Sequence, residues 1–282
     1  MLERFRRSIE LVKASIGVLR ADKELLVFPA VSFVVMIVVT LTFALPLLLT
    51  GTVGRLSEGA FEAFDVVLAA LFYVVSYTVI FFFNTALVGA ALIRLDGGDP
   101  TLRDGFRIAS SRLPAIIGYA LIAATVGMIL RWISERGGII GQIAVGFVGF
   151  AWNIATFLVV PVLVVEGFGP LEAIKRSSSL LRKTWGEQIV GNIGISLVFG
   201  LLALAVILAG GLLVALLISA APVLAVVVVV LLVIVVLGIG LIAAAVSGIF
   251  TASVYRYATR GDGGTMFNSQ TLAATFRSKN AR

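Results

Sequence analysis

The sequence predicts an all-α fold: a polytopic transmembrane helical bundle of six spans, built from about three repeats of an amphipathic interfacial helix followed by two spans. Three observations predict it. Hydrophobic residues make up 60% of the 282 positions and charged residues only 13%, whereas soluble domains carry roughly 45–50% apolar and about 25% charged residues. Several uncharged stretches exceed the roughly 18–20 residues needed to cross the hydrocarbon core of a bilayer. The basic residues gather between those stretches, in the pattern that sets membrane topology.

The elements follow in order. Residues 2–21 form the first interfacial helix, because Leu2, Phe5, Ile9, Val12, Ile16 and Leu19 recur every three or four positions while Arg4, Arg7, Lys13 and Arg20 fall largely elsewhere. Such a helix is expected to lie in the headgroup plane with its apolar side on lipid. The first span runs over about 25–50, with Pro29 in its first turn. It is too long for the apolar core of a cleavable signal peptide, so it is expected to stay as an anchor. Further spans are predicted over about 66–93, 114–133, 139–165, 189–218 and 222–257. Gly137-Gly138 separates the third from the fourth and Ser219-Ala220-Ala221-Pro222 the fifth from the sixth. Together 1–257 read as one integral membrane domain, followed by a cytoplasmic tail, 258–282, with a short amphipathic helix. The last two spans exceed the bilayer core at about 1.5 Å per residue, and Gly210-Gly211 and Gly238 with Gly240 are the expected places to bend.

The positive-inside rule fixes the number of spans and the orientation. Six spans with both termini in the cytoplasm put 19 of the 22 basic residues on the cytoplasmic side, leaving only Arg55, Arg131 and Arg136 outside. Seven spans would put the basic tail on the wrong side. The expected location is therefore the plasma (inner) membrane.

An internal repeat marks the cytoplasmic boundary. Asn84-Thr85-Ala86 is followed by Asp96-Gly97, Pro100, Leu102 and Asp104-Gly105-Phe106-Arg107-Ile108-Ala109-Ser110-Ser111. Asn153-Ile154-Ala155 is followed by Glu166-Gly167, Pro170, Leu171 and Glu172-Ala173-Ile174-Lys175-Arg176-Ser177-Ser178-Ser179. Phe5-Arg6-Arg7-Ser8 matches the second copy in kind. In the first loop helix Asp99 is expected to cap and Pro100 to take the first helical position; in the second, Glu172 and Arg176 are spaced to pair on one face.

Chemistry is narrowed by what is missing. With no cysteine and no histidine there are no disulfides, thiol nucleophiles, imidazole bases or usual zinc and copper sites, and no cofactor is expected. Ser177-Ser178-Ser179 has no partner base. Asp96, Asp99 and Glu166 are read as turn and capping residues rather than cation ligands. The formal charge of +7 points to lipid rather than nucleic acid, since the basic residues flank membrane spans. The candidate headgroup contacts are Arg6, Arg7, Lys13, Arg103, Arg107, Lys175, Arg176, Arg182 and Lys183.

Within the spans only Arg131 and Arg256 are charged, each within a turn of a span end, which argues against coupled ion transport. Asn84, Asn153 and Asn192 are the strongest polar groups left, read as helix-to-helix hydrogen bonds or, alternatively, as the lining of a polar groove. Gly240, Ala244, Gly248 and Ala252 form a small-residue stripe suited to close packing within the chain or to a homo-oligomer. Trp132 and Trp185 fall at interfaces, and Trp152, near mid-span, is expected to be buried.

Ser8-Ile9-Glu10-Leu11-Val12-Lys13-Ala14-Ser15, Val18 through Pro29, Trp185 through Asn192 and the tail from Tyr255 to Arg277 together resemble a prokaryotic family of uncharacterised multi-span membrane proteins. The resemblance covers nearly the whole chain and implies the architecture without an activity. More distantly, Val165-Glu166-Gly167 through Pro170 to Ala173-Ile174-Lys175-Arg176-Ser177 is similar to the membrane domain attached to some glycerophosphodiester phosphodiesterases. The resulting expectation is a non-enzymatic membrane protein that contacts lipids, anionic ones included, or a membrane-protein partner through cytoplasmic helices. The alternative is a transporter or lipid-translocating protein with a groove between repeats.

Overall fold

A computed structural model describes residues 2–49, 63–183, 188–262 and 264; the side chains of residues 2–11 and 182–194 lie outside the described set. The helices are α1 (Leu2–Ala21), α2 (Val27–Leu49), α3 (Ala63–Leu95), α4 (Leu102–Ser111), α5 (Leu113–Arg136), α6 (Gly138–Thr156), α7 (Val159–Val165), α8 (Pro170–Lys183), α9 (Gln188–Leu217) and α10 (Pro222–Arg260), with a 3-10 turn at Lys23–Leu26. No strand occurs among the described residues.

Six helical stretches are long and apolar enough to cross a membrane: Lys23–Leu49, Ala63–Leu95, Leu113–Arg136, Gly138–Val165, Ile195–Leu217 and Pro222–Arg260. The fold is thus the all-α, six-span membrane architecture that the sequence predicts. Helices are the natural form for such segments, because lipid offers no partner for backbone N–H and C=O groups. Several hydroxyls within the spans follow the same constraint, although those of Ser76 and Thr85 are buried without a hydrogen bond among the described residues. Thr40, Thr42, Thr78, Thr125 and Thr251 each donate to the carbonyl four residues back in their own helix.

The described residues fall into two compact units. In the first, made of the described residues within 1–26, 91–99 and 184–282, α9 and α10 pack along one another and α1 packs on both. The buried face of α1 carries Val12, Ser15, Val18 and Leu19. Over the described side chains, from Val12 onward, this corrects the expectation that α1 rests its apolar side on lipid, since Val12 and Leu19 are covered by protein; Leu2, Phe5 and Ile9 lie outside the described side chains. The turn between α9 and α10 falls at the predicted break, with Pro222 in the first turn of α10. At Gly210 an added Cβ would lie 2.6 Å from Leu232 Cδ1, so this glycine permits a close helix approach. Both helices continue unbroken through the glycines predicted as bends. Of the small-residue stripe, Gly248 and Ala252 are buried within the chain while Gly240 and Ala244 are exposed.

The second unit holds the described residues within 27–90 and 100–183. Here α4 buries Gly105 and Ala109, and the approach at Gly105 is tight: an added Cβ would lie 2.4 Å from Phe28 Cζ and 2.9 Å from the Ala86 carbonyl oxygen. Phe106 adds edge contacts to Phe28 and Phe83. The α8 helix buries Ala173, Ser177, Leu180 and Leu181 and packs on α5, α6 and α7.

The predicted fourth span, 139–165, is not one helix. It breaks at Phe157-Leu158 into α6 and α7. Pro161 supplies the reason, because it has no N–H for the Phe157 carbonyl and its ring crowds that group. Phe157 N–H falls back on the Ile154 carbonyl at 3.2 Å. Leu158 N–H leaves the helical ladder and donates to the buried Ser177 Oγ at 3.0 Å.

Candidate functional site

In the second unit, the two short helices that link spans carry the candidate residues. The α4 helix starts at a capping box: Asp104 N–H donates to Thr101 Oγ1 at 3.3 Å and Thr101 N–H donates to Asp104 Oδ2 at 3.1 Å. The cap is therefore Thr101 and not the predicted Asp99. Hydrogen bonds from the Thr101 side chain and backbone hold the Asp104 carboxyl below the usual carboxylate range. The two faces of α4 separate cleanly, with Gly105 and Ala109 buried and Arg103 and Arg107 exposed. Arg107 pairs with Asp104 at 2.7 Å.

On α8, Lys175 is exposed. Arg176 turns away from the predicted partner Glu172 and donates from Nε to both oxygens of Glu166, at 2.8 and 3.1 Å. Arg112, between α4 and α5, donates from Nη2 to the Val164 carbonyl at 3.3 Å. Its guanidinium lies against Gly167, where φ is +69° and an added Cβ would fall 2.7 Å from Nη1. The positive φ favours glycine at that position, and a side chain there would displace the guanidinium.

In the first unit a second charged cluster ties distant segments together. Arg256, in the last turns of α10, is ion-paired with both Asp96 and Asp262, and Arg260 reaches Asp96 at 2.9 Å. Arg256 holds the Asp262 carboxyl below its usual range. Arg94 joins the same region, pairing with Asp99 at 3.1 Å and donating to the Ala21 and Gly98 carbonyls. Gly97, with φ of 89°, makes the turn that follows α3. The carboxylates weighed as cation ligands are thus engaged by guanidinium groups. No group of three or more metal-ligating residues occurs among the described residues.

The predicted headgroup contacts therefore separate. Lys13, Arg103 and Lys175 are exposed, Arg107 is exposed but paired, and Arg176 is committed to Glu166. The side chains of Arg6, Arg7, Arg182 and Lys183 lie outside the described residues, as do those of Asn192 and Trp185. Asn153 is exposed and donates to the Gly149 carbonyl of its own helix at 2.9 Å, so among the described residues it bridges no pair of helices. Asn84 is half-buried, and so is Trp152.

Sequence reasoning missed an aromatic column in the second unit. Tyr73, Tyr77 and Phe81 recur every four residues on α3 and stack in succession, and Phe81 meets Tyr119 of α5 at 4.5 Å. At its far end Arg131 donates to the Tyr73 hydroxyl at 3.0 Å and pairs with Glu135 at 2.8 Å. The four-residue spacing was the available signal.

The profile of a family of unknown function (DUF6159) matches residues 62–266. The chain belongs to that family. The match takes in α3 to α10, and with them every ion pair just described. No curated protein matches this DUF6159 member. The likeness to the membrane domain of glycerophosphodiester phosphodiesterases therefore rests on its quoted residues alone.

Proposed function

We propose that this DUF6159 protein is a non-enzymatic plasma-membrane protein that engages acidic lipid headgroups through the short helices between its spans. The observation that carries the reading is the arrangement of α4 and α8. Each buries small residues against the spans, Gly105 and Ala109 in one and Ala173 and Ser177 in the other, while Arg103 and Lys175 remain exposed and without an ion pair among the described residues. Charge bias supports a cytoplasmic placement for both helices and both termini, where acidic lipids attract basic residues at about 1 kcal/mol each. The similar placement of small and basic residues in α4 and α8 also supports the internal repeat.

The test is the ratio of phosphatidylglycerol to phosphatidylcholine that stays with the chain when it is extracted from mixed bilayers. We expect enrichment of the acidic lipid at low salt, loss of that enrichment at high salt, and a fall of about fivefold for each charge removed in Arg103→Gln and Lys175→Gln. A ratio equal to that of the bulk bilayer, unmoved by salt or by these substitutions, would remove the proposal.

A further inference from the structure

Arg112 differs from its basic neighbours. Arg107 and Arg176 each have a carboxylate, whereas Arg112 has no ion pair among the described residues and makes a single side-chain hydrogen bond, to the Val164 carbonyl. The residue is half-buried. A guanidinium carries five N–H donors, and one withdrawn from water without a counter-charge is costly. The absence of a side chain at Gly167 lets the guanidinium pack against the backbone there, where an added Cβ would lie 2.7 Å from Nη1.

The surroundings are equally specific. Leu113, Ile117 and Leu121, spaced by four on α5 from the residue after Arg112, are exposed at 38%, 39% and 49%. Val165 and Phe168, on either side of Glu166 and Gly167, are exposed as well. A planar cation thus lies against the Val164–Gly167 segment, whose neighbours Val165 and Phe168 are exposed and apolar, and immediately precedes the exposed apolar edge of α5, at the point where a short connecting helix gives way to a span.

We propose that Arg112 holds the phosphate of a phospholipid headgroup, with the acyl chains lying along the Leu113-Ile117-Leu121 edge. The guanidinium fork matches two phosphate oxygens, and the apolar edges favour a lipid over soluble phosphate. This deepens the proposed function and rests on it for the lipid class, but it concerns a built seat rather than diffuse attraction to the exposed Arg103 and Lys175.

Native mass spectrometry of the purified chain tests it. Phospholipid adducts should survive high salt in the wild type and in the Arg103→Gln and Lys175→Gln variants. They should fall about tenfold in Arg112→Gln, as for the loss of one charge-assisted contact, and by less in Arg112→Lys, which keeps the charge without the fork. Equal retention by a folded Arg112→Gln, judged by circular dichroism and thermal midpoint, would overturn the proposal. Should that variant not fold, Arg112→Lys decides: reduced retention supports the seat and equal retention overturns it. Inorganic phosphate is the second arm. If it binds delipidated protein in an Arg112-dependent way and displaces no phospholipid, the occupant is a soluble anion and the lipid assignment fails. Salt-labile enrichment lost only with Arg103 and Lys175 would sustain the broader reading and overturn this one.

Discussion

Asp22 shows how much a single side chain at a helix end can govern. The residue is only 6% exposed, with Oδ1 accepting from Glu24 N–H at 3.2 Å and Oδ2 buried without a partner among the described residues. Burial pushes its pKa up; the Glu24 N–H and the Arg94 charge oppose that, while Glu24 and Asp99 reinforce it. A raised carboxyl pKa means that the folded chain binds the proton more tightly than the unfolded one. Stability from this group is therefore gained as pH falls through the folded pKa and is complete below the unfolded value; above the folded pKa the buried charge costs stability. Asp22→Asn should raise the thermal midpoint by a few degrees at pH 8, and the gain should vanish near pH 4, followed by intrinsic fluorescence. Other residues teach a different lesson about legibility. The basic positions were readable, but their partners were not. Helical spacing offers Glu172 to Arg176, yet folding brings Glu166 to it from the end of another helix. Asp96 and Arg256 stand 160 positions apart, a separation over which no local pattern carries information.

Among the elements, the broken span is where the sequence reading fell short for an identifiable reason. Pro161 inside an apolar run was a visible breaker, but continuous hydropathy hid it. What the sequence alone could not reveal is that Ser177, from the next helix, would take over the Leu158 N–H. Ser177→Ala should cost on the order of 1–3 kcal/mol, the desolvation of a buried unpaired N–H. In a Pro161→Ala background, where the helical ladder can re-form, the same substitution should cost less. A double-mutant cycle on thermal midpoints measures the difference; equal costs would mean that the hydroxyl does not seal the break. The start of α4 makes the complementary point. Thr101 and Asp104 carry a readable capping signal, and the nearer Asp99-Pro100 pair obscured it.

For the molecule as a whole, hydropathy over long windows made six spans legible, because lipid imposes one constraint on every residue of a span. Packing was less so, since apolar stripes do not reveal whether protein or lipid covers them, as α1 demonstrates. The account depends most on α4 and α8 sharing the cytoplasmic side of a six-span chain. The chain has no native thiol, so single cysteines report position directly. The exposed Ser110 of α4, Ser179 of α8 and Glu135 near the end of α5 are suitable sites for an impermeant maleimide on intact cells and on inverted vesicles. The account predicts that Ser110→Cys and Ser179→Cys label only from the cytoplasmic side and Glu135→Cys only from outside. Labelling of Ser179→Cys on intact cells, or of Ser110→Cys and Ser179→Cys from opposite sides, would contradict it.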